Sequence, residues 1–134
     1  MPRPPSSQPT DVELRILGVL WERGPSTVRQ VHEALCAVRE TGYSTTLKMM
    51  QVMRDKGLVV RDESVRPQLY RAAESRRQTQ LRILDDVVQK AFGGSAQRLV
   101  MRMVAAKLIS PDELAEIDRL IAEAEKSEQR GECP

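Results

Sequence analysis

The sequence predicts a mainly α-helical chain that carries one short β-hairpin, and three observations lead there. Apolar residues recur at helical spacing in six separate segments. Two short β-prone pieces, residues 58–61 (LVVR) and 68–71 (QLYR), flank a polar turn at residues 62–67. The chain has 134 residues, 40% of them hydrophobic and 30% charged, which is enough for a packed core and too short for several domains.

Taken in order, residues 1–9 are Pro- and Ser-rich with no apolar stretch, so they read as a flexible arm and not as a leader. Thr10 and Asp11 are good helix caps, and Glu13 stands three residues after Thr10, the spacing of a capping box. Val12, Ile16, Leu17, Val19, Leu20 and Trp21 then form a broad apolar face on a helix stopped by Gly24-Pro25. A second helix begins after Ser26 or Thr27, buries Val28, Val31 and Leu35, and ends before Thr41-Gly42. Ser44 is expected to cap a third helix that runs to Lys56 and closes at Gly57. The hairpin follows. Three helices and a hairpin are the outline of a winged helix-turn-helix, expected over residues 10–73.

The remainder, residues 74–127, is expected to be a helical dimerisation domain. Leu81, Leu84, Val87, Val88 and Ala91 line one helix, broken by Gly93-Gly94. Ser95 caps the next, with a stripe of Leu99, Val100, Met103, Val104 and Leu108. Ser110-Pro111-Asp112-Glu113 combines an N-cap hydroxyl, a first-turn proline and a capping-box carboxylate, and Leu114, Ile117, Leu120 and Ile121 continue that helix. About 60 residues bury little by themselves, so these stripes point to pairing with a second copy. Residues 128–134 are expected to fray.

Net charge is +2, yet it is unevenly spread: residues 1–72 hold 11 basic and 8 acidic side chains, residues 73–134 hold 10 and 11. The scarce residue types exclude more. One histidine (His32) and two cysteines (Cys36, Cys133) cannot build a standard zinc site or a disulfide framework, which points to a reducing, cytoplasmic location with no metal and no cofactor. Four aromatic residues are too few for a base-stacking platform, and no apolar run approaches the roughly 20 residues of a membrane span. Asp85-Asp86 and Asp112-Glu113 have no partnered nucleophile or base, and Gly93-Gly94 is no phosphate loop, so no enzyme is expected.

At 100° per residue, the third helix places Thr46, Met50 and Met53 on its core side and Ser44, Thr45, Lys48, Gln51, Val52 and Asp55 on the other. Gln, Lys, hydroxyls and branched methyls are the groups that read a major groove. The expected contact set with double-stranded DNA is Ser44, Thr45, Thr46, Lys48, Gln51, Val52, Lys56 and Arg29, with Arg61, Arg66 and Arg71 from the wing. A winged-helix module that binds another protein through its Met-rich helix and C-terminal stripes is the alternative.

Residues 19–35 (VLWERGPSTVRQVHEAL), 42–51 (GYSTTLKMMQ) and 55–59 (DKGLV) resemble the BlaI/MecI/CopY family, the penicillinase-repressor type of bacterial regulator. So do 69–72 (LYRA), 92–95 (FGGS), Leu99-Val100 and 110–114 (SPDEL). The resemblance implies a homodimeric repressor on palindromic operators, a recognition helix from Ser44, and an intertwined dimer after Ser75. It also implies a membrane-bound sensor peptidase that triggers a cut at an Asn-Phe pair, where this chain has Arg102-Met103. The copper-responsive branch carries clustered C-terminal cysteines, whereas Cys133 stands alone.

Overall fold

A computed structural model describes residues 8–37 and 40–129. Helix α1 (Asp11–Arg23) starts on the expected capping box: Thr10 Oγ1 accepts from the Glu13 amide at 3.3 Å, and the Glu13 carboxylate accepts from the Thr10 amide at 2.9 Å. Two amides with no helical partner are thereby satisfied. Helix α2 (Val28–Cys36) repeats the device with Thr27 and Gln30, at 3.1 and 2.9 Å. It ends at Cys36, before Thr41-Gly42 as expected.

Helix α3 (Tyr43–Lys56) begins earlier than the sequence suggested. Its N-cap is Gly42, which makes no side-chain cap bond, and Ser44 already lies in the first turn. The amides of Thr45 and Thr46 both return to the Gly42 carbonyl at 3.1 Å, so the turn closes before a Ser44 cap is needed. At the far end Gly57 takes a left-handed conformation (φ 83°, ψ 15°) that a side chain would resist.

Strands β1 (Val59–Asp62) and β2 (Leu69–Ala72) pair antiparallel, with Val59 opposite Ala72 and Arg61 opposite Tyr70. Each lies one residue beyond its expected span. Leu58 is kept out of β1 because its amide closes the helix end on the Met53 carbonyl at 2.9 Å. Ser26 docks on the hairpin through two backbone bonds to Tyr70, at 2.9 and 2.7 Å, and ties the wing to the α1–α2 connection. The core gathers Ile16, Leu17 and Leu20 of α1, Val28, Val31 and Leu35 of α2, and Met50 and Met53 of α3, closed by Leu58, Val59 and Tyr70. Each such buried aliphatic side chain contributes about 1.5–3 kcal/mol.

The first compact unit continues past residue 73 to Asp85, inside helix α4 (Arg76–Ala91). Trp21 explains the extension. Its indole N–H donates to the Glu74 carbonyl at 2.9 Å, and Arg76 lies over its ring at 5.5 Å. The second unit starts at Asp86 and holds the end of α4, α5 (Ala96–Ala105) and α6 (Pro111–Gln129). Ser95 and Ser110 cap α5 and α6 as expected, and Glu113 completes the box on the Ser110 amide at 2.8 Å. Helix α5 stops three residues before Leu108: Lys107 turns left-handed (φ 59°) and the Leu108 amide bonds the Met103 carbonyl at 3.0 Å. Helix α6 runs to Gln129, so residues 128 and 129 are helical, not frayed; residues 130–134, with Cys133, lie outside the described residues. Most of the N-terminal arm, residues 1–7, does as well.

Candidate nucleic-acid interface

The outward row on α3 is the predicted one. Ser44, Thr45, Lys48, Gln51, Val52 and Asp55 are all exposed, while Met50 and Met53 are sealed in the core. Gly57 and the Met53–Leu58 closure hold this helix on the core, so its polar side is presented as a rigid edge.

Thr46 does not belong to that row. It is 0% exposed, donates to the Gly42 carbonyl at 3.4 Å, and its Oγ1 lies 3.1 Å from His32 Nδ1. Its hydroxyl fastens α3 to α2 and cannot meet a base. Lys56 is also spent internally: its ammonium pairs with the buried Glu13 at 2.9 Å. Burial alone would push the Glu13 carboxyl up, but the Lys56 ammonium and the Thr10 amide outweigh it and hold the group below its ordinary range.

A groove of about 350 Å³ runs between α2, α3 and the wing. It brings together Arg29, Gln51 and Arg61 from the predicted set, and adds Thr27, Tyr43 and Gln68, which sequence reasoning missed. Strand alternation explains why Arg61 is there. Arg61 sits opposite the buried Tyr70, so it shares the inward face of the hairpin with Val59 and Ala72. Its guanidinium donates to Glu63 at 2.8 Å, and the hydrogen bond it donates to the Tyr70 side chain raises its already high pKa further, ahead of Glu63's charge.

Arg71 pairs with Val60 on the opposite, solvent face. Alternation thus sets Arg61 and Arg71 on opposite faces of the hairpin. Arg66 lies at the hairpin tip beside a cis bond to Pro67 and donates to the Glu63 and Val65 carbonyls at 2.8 and 3.3 Å. Asp62 stands on Arg71's face, and the Ser64 hydroxyl and amide, with Arg71's charge, hold its carboxyl below the usual range. Neither acidic group of the wing stands uncompensated, since Glu63 is engaged by Arg61.

Arg29, in the first turn of α2, lies over the Tyr43 ring at 5.4 Å, and His32 meets the same ring edge-on, also at 5.4 Å. His32 and Cys36 approach at 3.5 Å, but among the described residues no three His, Cys, Asp or Glu side chains could hold a metal ion. No helix among them is long and apolar enough to cross a membrane.

On α4–α6 the predicted stripes remain largely uncovered within one chain. Leu81, Leu84, Val100, Ile117, Leu120 and Ile121 are exposed, up to 54% at Leu81, and Leu99, Met103 and Leu114 are half-buried. Val88 departs from the expectation: at 8% exposure it is already packed inside the protomer and has little surface left for a partner.

A three-helix core, a hairpin wing and an outward-turned third helix define a winged-helix regulator with a helical C-terminal segment. The penicillinase repressor family model matches residues 9–123. The transcriptional regulator BlaI, from two strains of Mycobacterium tuberculosis, is 32% identical over 117 residues, covering 86% of this chain and 83% of the relative. The chain belongs to the penicillinase repressor family.

Proposed function

We propose that this chain is a homodimeric, sequence-specific DNA-binding repressor of transcription that occupies palindromic operators in the cytoplasm. The carrying observation is the exposed row Ser44, Thr45, Lys48, Gln51 and Val52 on a helix whose other face is locked into the core. Gln51 offers an amide to adenine, Lys48 an ammonium to guanine or phosphate, and Val52 and Thr45 methyls to thymine. Arg29 and Arg61 flank that row and supply charge for the phosphates. The uncovered apolar residues of α4, α5 and α6 support the dimer, which would set two recognition helices about one helical turn apart. This chain has Arg102-Met103 where the family's Asn-Phe pair would fall, so release by a sensor peptidase through that cut is not part of the proposal.

Titration of promoter fragments at 50 and 200 mM salt tests the reading. Several phosphate contacts per dimer predict affinity falling about 10³-fold or more across that range. Absent binding, or binding indifferent to salt and sequence, contradicts it and favours a protein-binding module.

A further inference from the structure

We propose that Tyr43 is a positioning residue for DNA recognition: its ring holds the Arg29 guanidinium at the mouth of the groove, ready for a backbone phosphate. The inference rests on the DNA-binding reading above and assigns a role to a residue outside the base-reading row.

The geometry forms a relay from core to surface. Buried Thr46 contacts His32 at 3.1 Å, His32 sets its ring edge against Tyr43 at an interplanar angle of 79°, and Tyr43 carries Arg29 on its face. Tyr43 is 42% exposed, so the ring is not held there by burial in the core. Arg61, the other arginine lining the groove, is paired with Glu63, while among the described residues no carboxylate pairs with Arg29. An arginine without a carboxylate keeps its fork of donors for an external anion. A long side chain loses rotamer entropy when it is fixed, and stacking on an aromatic face reduces what remains to be lost on binding. Tyr43 thus prepares a phosphate contact without making one.

The test is a double-mutant cycle on the full chain, read by anisotropy on an operator duplex across a salt series. Arg29→Ala should lower the salt slope by about 1 per subunit. Tyr43→Ala should weaken binding about 2–5-fold per half-site, the worth of an exposed cation–π contact. Tyr43→Phe keeps the ring and should bind as the wild type, whereas Tyr43→Leu, which keeps apolar bulk without a π face, should match Tyr43→Ala. The Arg29→Ala/Tyr43→Ala double variant should bind no more weakly than Arg29→Ala alone. Additive losses, unchanged binding by Tyr43→Ala and Tyr43→Leu, or a loss in Tyr43→Phe overturn the positioning role. A wild-type arm without sequence preference overturns the DNA-binding reading itself, so the two failures are distinguishable.

Discussion

The Lys56 ammonium lies 2.9 Å from the Glu13 carboxylate and joins the last turn of α3 to the first turn of α1. Glu13 serves both ends of its own carboxylate: Oε1 closes the cap on Thr10 and Oε2 receives Lys56. Only about a third of the Lys56 side chain is exposed and almost none of Glu13, so the pair works in a partly desolvated place.

Removing either partner should therefore destabilise the fold and leave recognition alone. Glu13→Gln and Lys56→Met should each cost about 1–3 kcal/mol in urea unfolding, because a buried charged group loses its partner. Lys56→Met should keep the wild-type ratio of specific to nonspecific DNA binding. The pH dependence has a fixed sign. The Glu13 carboxyl is lowered from 4.5 in the folded chain, so its stabilisation is whole above pH 4.5 and is lost as pH falls through the lower folded-state value. The stability gap between wild type and Glu13→Gln should narrow on acidification below pH 4.5. A gap that widens there contradicts the assignment.

Strand register predicts that two wing arginines differ. Arg61→Ala, on the groove side, should lower operator affinity and reduce the salt slope by about 1 per subunit. Arg71→Ala, on the solvent face of the hairpin, should have the smaller effect in the same salt titration. Equal losses would mean that DNA embraces both faces of the hairpin.

The uncovered apolar residues of α6 carry the dimer prediction. Leu120 and Ile121 are 52% and 50% exposed in the single chain, and an aspartate there would place a charge in any interface they form. Sedimentation should find the wild type as a dimer and Leu120→Asp/Ile121→Asp as a monomer that retains its helix content. A variant that stays dimeric rules these residues out of the contact. Val88→Ala should act differently, costing protomer stability through a buried cavity and not dissociating the pair.

Lys107 holds φ 59° at the end of α5, where glycine would sit without strain. Lys107→Gly should raise stability by about 1 kcal/mol, seen as a higher thermal midpoint at constant protein concentration. A lower midpoint would show that the lysine side chain contributes more there than its backbone costs.

Much of this architecture was legible in the sequence because the signals were local. The Thr10–Glu13 and Ser110–Glu113 boxes, the Gly57 terminator and the Met50–Met53 stripe each act within one or two helical turns, and each stands where pattern placed it. What escaped was set by groups distant in sequence. Glu13 claims Lys56 from 43 residues away, and His32 claims Thr46 from 14. Trp21 reaches 53 residues ahead to Glu74 and carries the first compact unit into α4. The separation of Arg61 from Arg71 needed the cross-strand pairing of the hairpin, Arg61 opposite Tyr70 and Arg71 opposite Val60, which strand spans alone do not supply. The end of α5 carried no glycine signal at all, since a lysine occupies the left-handed position.

The most direct measurement is selection from a random duplex pool by the intact chain, run in parallel with Lys48→Ala/Gln51→Ala. The account predicts that the wild type enriches an inverted repeat with half-sites about 10 base pairs apart, and that the double variant stays dimeric yet loses that preference. A pool that enriches no sequence, or the same inverted repeat enriched equally by the double variant, would contradict the claim that the outer face of α3 reads DNA.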